Sequence, residues 1–146
     1  MSLKNVDVRT AHQLQAEDHT YIDVRSIPEY DNGHPPGARN VPLLHRDAQT
    51  GQMQPNPDFL EVIRANFPPD AKLLIGCQMG GRSTQAGQML LSAGYEDVTN
   101  VVGGYGGARD RMTGHVVSEG WVDAELPVEH ETVRGHGYKE LRQKAT

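Results

Sequence analysis

Cys77 is the only cysteine in the chain, and it is followed by Gln78-Met79-Gly80-Gly81-Arg82-Ser83. A thiolate attacks where a thiol does not, so the surroundings of position 77 decide whether it reacts. Gly80 and Gly81 can adopt positive φ and turn successive N–H groups inward as an anion-binding nest. Arg82 adds a permanent cation with several donors. A lone cysteine is more often a small buried hydrophobe. Two glycines and an arginine beside it, ahead of a helix, reverse that weighting. Such a pocket suits a thiolate, a persulfide or an oxyanion. A single thiol also excludes an intramolecular disulfide and every zinc site that needs two thiolates. The seven histidines never fall at i, i+4 spacing within one clear helix, so no metal site is expected.

The flanking elements place this loop. Lys72-Leu73-Leu74-Ile75 is a continuous apolar run, as in the buried centre of a parallel sheet. It carries Cys77 to the sheet's carboxyl edge, where open α/β sheets bind ligands. The following helix has its buried stripe on Ala86, Met89, Leu90 and Ala93, and Gly94 is placed for its C-terminal cap. Its N-terminus faces Cys77, and the unpaired N–H groups and macrodipole there favour an anion. Helix N-termini and nearby cations lower a cysteine pKa from ~8.5 to roughly 3.5–7.5.

Upstream, Thr20–Val24 reads as a strand. Ser26 and Glu29 have capping-box spacing around Pro28, and Gly33 can end that short helix. His34-Pro35-Pro36-Gly37 must turn, Asn40-Val41 is extended, and residues 46–56 read as a loop. Phe59, Leu60, Ile63 and Phe67 recur at helical spacing. Asp97–Val102 is a last clear strand. The glycines at 103–107 suit close chain approach better than phosphate binding, because the full dinucleotide spacing is missing. Alternating strand and helix signals predict an α/β fold with a mainly parallel sheet. Trp121-Val122 and Leu126-Pro127-Val128 can pack back on the domain, and residues 130–146 read as a surface helix or frayed tail.

At 146 residues the chain has room for one core. Its formal charge of −5 comes without a basic cluster before the mixed tail, which argues against nucleic acid. No apolar run is long enough to cross a bilayer. Met1–Asp7 lacks the apolar stretch of a signal peptide, so the expected location is cytoplasmic.

Cys77-Gln78-Met79-Gly80-Gly81-Arg82-Ser83 resembles the active-site loop Cys-x-x-Gly-x-Arg-Ser of the rhodanese-like sulfurtransferases. Tyr21–Arg25, Glu29-Tyr30, Gly33-His34 and Gly37–Pro42 resemble that family's upstream signature. Gly103-Gly104 and Leu126-Pro127-Val128 are similar to its glycine turn and C-terminal end. The resemblance places a rhodanese-like domain at 5–129, with an insertion over 106–120 and a C-terminal tail over 130–146. It implies a five-stranded, mainly parallel sheet with helices on both faces, and no cofactor. It also implies transfer of a sulfane sulfur from a small-molecule donor such as thiosulfate to an acceptor thiol, cyanide or protein, through a Cys77 persulfide. Gln78 to Ser83 would cradle that persulfide and Arg82 would attract the donor. The alternative within the family is a sulfur carrier or regulatory binding module.

Loop length separates this from phosphatase or arsenate reductase chemistry. Four residues stand between Cys77 and Arg82, whereas tyrosine-phosphatase-type loops have five. The shorter ring suits one sulfur better than a tetrahedral phosphate gripped by an arginine fork. Asp23, Arg25 and Arg39 are secondary candidates. The first two can approach the pocket or form an internal pair, and Arg39 can reach the site or pair with Glu29.

Overall fold

The computed structural model describes residues 3–145; Met1 and Ser2 of the N-terminal stretch and Thr146 of the expected tail lie outside them. In chain order the elements are β1 (Lys4–Val6), α1 (Val8–Gln15), β2 (Thr20–Asp23), α2 (Ile27–Asp31) and β3 (Arg39–Asn40). Then come β4 (Leu44–Arg46), β5 (Met53–Pro55), α3 (Phe59–Asn66), β6 (Lys72–Gly76) and α4 (Gly81–Ser92). The chain continues through β7 (Asp97–Val101), β8 (Ala108–Arg109), β9 (Val116–Ser118) and α5 (Tyr138–Gln143). One five-stranded sheet has the order β1-β7-β6-β2-β3, and every pairing in it is parallel.

Both faces of the sheet are covered, which is why its middle strand, β6, is apolar without alternation. Ile22, Val24, Leu73, Ile75 and Val98 face a layer containing Val62, Ile63, Ala86, Leu90 and Leu141. Tyr21, Leu74 and Val101 face the other way, onto Val8, Ala11, Tyr30 and Trp121. Each fully buried aliphatic side chain contributes about 2 kcal/mol, so two such layers hold the sheet's carboxyl edge rigid.

Several segments carry structure that the residues did not announce. The loop read at 46–56 contains half of a hairpin, because β4 pairs antiparallel with β5. Its turn is built by Asp47, whose Oδ1 accepts from Gln49 N–H at 2.7 Å, and by Gly51 at φ 73°. The 106–120 segment forms a second hairpin, β8–β9, turned by Asp110 Oδ1 accepting from Met112 N–H at 2.8 Å. Within the tail read at 130–146 as a surface helix or frayed, a helix does form, α5, but it is not merely superficial: Tyr138 and Leu141 are buried in the core beside α3. Asn66 Nδ2 donates to the Leu141 carbonyl at 2.8 Å and ties the two helices. Trp121 does pack back, 0% exposed, with Nε1 donating to the Pro127 carbonyl at 2.7 Å.

Candidate active site

Cys77 is the first residue beyond β6, the middle strand of the sheet. The parallel register sets Gly76 beside Asp23 of β2 and Ile75 beside Asn100 of β7, so side chains from both neighbouring strands reach the same edge. The chain reverses at Gly80, whose φ of 121° is strained for any residue with a side chain. α4 begins at the next residue. This brings two backbone donors onto the sulfur: Gly80 N–H at 3.1 Å and Ser83 N–H at 3.3 Å from Cys77 Sγ. The thiol in turn donates to Ser83 Oγ at 3.4 Å. The two amides suit a charged sulfur, and the serine oxygen suits a protonated one.

The loop is fixed from beneath. Tyr105 N–H donates to the Cys77 carbonyl at 2.7 Å and Gly106 N–H to the Gln78 carbonyl at 3.0 Å. Gly104, at φ 59°, lies so close to the Cys77 carbonyl that a Cβ there would overlap it. The glycines after β7 therefore serve chain approach, as their spacing suggests. Met79 forms the outer tip of the loop at 62% exposure, whereas Cys77 is 1% exposed.

Arg82 does not aim at the sulfur. Its Nη1 and Nη2 grip Glu29 Oε1 and Oε2 at 2.7 and 3.0 Å. Glu29 also accepts from the Ser26 N–H at 3.1 Å and the Ser26 hydroxyl at 2.8 Å, completing the capping box of α2. Burial would raise the Glu29 carboxyl, but hydrogen bonds from Arg82 and Ser26 outweigh it and bring it down to about 2. One carboxylate thus binds the start of α2 to the start of α4.

Asp23 and Arg25 form an internal pair, and Arg25 alone of the two also touches the loop. Arg25 Nη2 bonds Asp23 Oδ2 at 2.7 Å with both side chains almost wholly buried, and it also reaches the Gly33 carbonyl at 2.7 Å. Its Nη1 donates to Gln78 Oε1 at 3.4 Å, and its guanidinium lies 4.3 Å from the centre of the Tyr105 ring. A buried ion pair of this kind positions groups more than it stabilises. Arg39 instead donates to the Gly37 carbonyl at 2.8 Å and holds its own turn. His34, 0% exposed, bridges Tyr30 O and Glu129 Oε2 and braces the proline turn.

Asn100 is the residue that sequence reasoning passed over. It is 4% exposed on β7 and its Oδ1 accepts from Ser83 Oγ at 2.6 Å. The available signal was a polar pair, Thr99-Asn100, inside a strand covered on both faces.

A family model for the rhodanese-like domain matches residues 7–110. The chain is 45% identical over 101 residues to thiosulfate sulfurtransferase 16, chloroplastic, of Arabidopsis thaliana; the match covers 69% of this chain and 82% of the relative. It is 36% identical over 129 residues to thiosulfate sulfurtransferase 18 of the same plant, with coverages of 87% and 84%. Against two further plant relatives the chain spans 60% of their length. The crystal structure of Rv0390 from M. tuberculosis superposes with a TM-score of 0.73 at 23% identity, over 90% of this chain and 100% of that one. That last likeness concerns the fold.

Proposed function

The chain belongs to the rhodanese-like domain family, and on that premise we propose that it is a sulfurtransferase working through a Cys77 persulfide. The observation that carries the reading is the pair of amides, Gly80 and Ser83, converging on Cys77 Sγ at 3.1 and 3.3 Å. In the first step Cys77, its proton lost to solvent, attacks the outer sulfur of a donor such as thiosulfate. An S–S bond forms on Cys77, the donor's own S–S bond breaks, and sulfite departs with the electron pair. In the second step an acceptor thiolate or cyanide attacks the outer sulfur and Cys77 thiolate is released. The amides compensate negative charge on the sulfur in both half-reactions.

Phosphoryl or arsenate chemistry fits less well. It needs an arginine fork on the substrate oxyanion, and both ends of the Arg82 fork are engaged by Glu29. The 1% exposure of Cys77 favours one second reading within the same chemistry, a sulfur carrier that exchanges with a protein whose approach opens the loop.

Two-substrate kinetics test the proposal. With thiosulfate and cyanide varied together, reciprocal plots are expected to give parallel lines, and Cys77→Ser is expected to abolish turnover while keeping the wild-type melting temperature within a few degrees. Intersecting lines, or turnover retained without Cys77, would rule out the covalent route.

A further inference from the structure

Behind the nucleophile lies a chain of side-chain hydrogen bonds that runs from Asn5 through Asn100 to Ser83. Asn5 Nδ2 donates to the Leu3 carbonyl at 3.4 Å, and a carbonyl only accepts. Asn5 turns its Oδ1 toward Asn100, and Asn100 Nδ2 donates to it at 2.9 Å. That leaves Asn100 Oδ1 facing Ser83, whose hydroxyl lies 2.6 Å away. The one Ser83 hydrogen goes to the shorter of its two acceptors, since Gly80 O stands at 3.1 Å. Ser83 Oγ is then left to meet Cys77 Sγ, 3.4 Å away, as an acceptor. Ser83, Cys77 and Asn100 are all at most 4% exposed, so water does not substitute for any partner.

We propose that Asn100 is a positioning residue that holds Ser83 as a hydrogen-bond acceptor toward Cys77, and so restrains ionisation of the resting thiol. A thiolate or persulfide anion gains from a hydroxyl that donates to it and loses from one that presents a lone pair. Ser83 can turn its hydrogen to the sulfur only by leaving Asn100 Oδ1 unpaired, which is costly in a buried site. Asn100 therefore competes with the charged sulfur for one hydrogen, while the amides of Gly80 and Ser83 pull the other way. The sulfur is held between two opposing sets of partners. This inference concerns the thiol itself and adds to the sulfurtransferase reading, on which it rests only for its purpose.

Other charged groups near the sulfur are constant across the test. Arg82 of α4, held by Glu29 of α2, and Tyr21 of β2 are the groups whose charged forms feel Cys77 directly. Asp23 of β2 and Arg25 just beyond it pair with each other, and Arg25 also reaches Gln78 of the loop. None is altered by a change at Asn100 or Asn5.

The experiment follows alkylation of the intact protein by iodoacetamide against pH, which reads the thiolate without requiring turnover. Asn100→Ala removes the nearer of the two competing acceptors, leaving only Gly80 O at 3.1 Å, and is expected to move the alkylation midpoint downward by about one pH unit, a tenfold change in the thiolate fraction on the rising limb. Asn5→Ala, at an exposed position, unlocks the Asn100 amide without cutting into the core and is expected to give a smaller shift of the same sign. In a Ser83→Ala background both effects should vanish, since the relay runs through that hydroxyl. Midpoints unmoved in folded Asn100→Ala and Asn5→Ala, or shifts that persist without Ser83, would overturn the inference. Should Asn100→Ala fail to fold, Asn5→Ala decides alone. A protein that alkylates as expected yet never accepts sulfur would leave this inference standing and defeat the sulfurtransferase proposal.

Discussion

Arg82 shows how a residue can matter to a sulfur site without touching the sulfur. Its two nitrogens close onto the two oxygens of Glu29 in a geometry that lysine cannot reproduce. The pair is about a quarter exposed, so its worth is larger than that of a surface ion pair but moderated by solvent. Arg82→Ala is expected to lower stability by about 1–2 kcal/mol and to reduce transfer by on the order of tenfold through loosening of the loop, with Arg82→Lys failing to restore either. Urea melts alongside kcat/KM for thiosulfate check this, and an unchanged melt would remove the bridge from the account. The same bridge sets a pH dependence. The Glu29 carboxyl is brought from 4.5 to about 2 in the folded protein. A depressed carboxyl stabilises fully above its unfolded value and loses that contribution as pH falls toward the folded one. The stability difference between wild type and Glu29→Gln should therefore be constant above about pH 5 and shrink between 4.5 and about 2. A difference that stays flat across that window would contradict the assignment.

At the scale of elements, the site is a junction of β6, the turn at Gly80, the start of α4 and the glycine segment after β7. The last of these is easily mistaken for a ligand loop, yet its backbone donates to the Cys77 and Gln78 carbonyls. Gly104 combines a φ of 59° with a Cβ direction blocked by the Cys77 carbonyl. Gly104→Ala should cost about 1–3 kcal/mol from the backbone conformation alone, and more from the overlap. It should also depress sulfur transfer beyond what the stability loss explains. Gly94 offers the control: its φ is 101° but open space surrounds it, so Gly94→Ala should lose stability and keep activity per folded molecule. Equal activity losses in the two variants, measured at a temperature where both are folded, would mean that Gly104 has no special place under the loop.

Across the whole molecule, much of this arrangement was legible in the residues themselves. β6 declares itself because a strand buried on both faces is a continuous apolar run, β2 and β7 because they are rich in β-branched and aromatic residues, and α3 and α4 because one stripe of each is apolar. The loop from Cys77 to Ser83 is legible because its spacing is local. What stayed hidden was either small or distant. α1 buries Val8 and Ala11, too few large apolar residues to mark a stripe, and β4–β5 and β8–β9 are hairpins of two- and three-residue strands set by aspartate turns. The partner of Arg82 lies 53 residues upstream, and Asn100 reaches Ser83 only because the parallel register aligns β7 with β6. No local pattern encodes either pairing. The burial of the terminal helix escaped for the same reason, since Tyr138 and Leu141 become core only when α3 is beside them. The central claim, that this framework exists to carry sulfur on one thiol, is tested most directly by intact mass. After incubation with thiosulfate and removal of excess donor, the folded protein should gain the mass of one sulfur atom, mapped to Cys77 and discharged by cyanide. A folded protein whose mass never changes with thiosulfate or any other sulfane donor would contradict it.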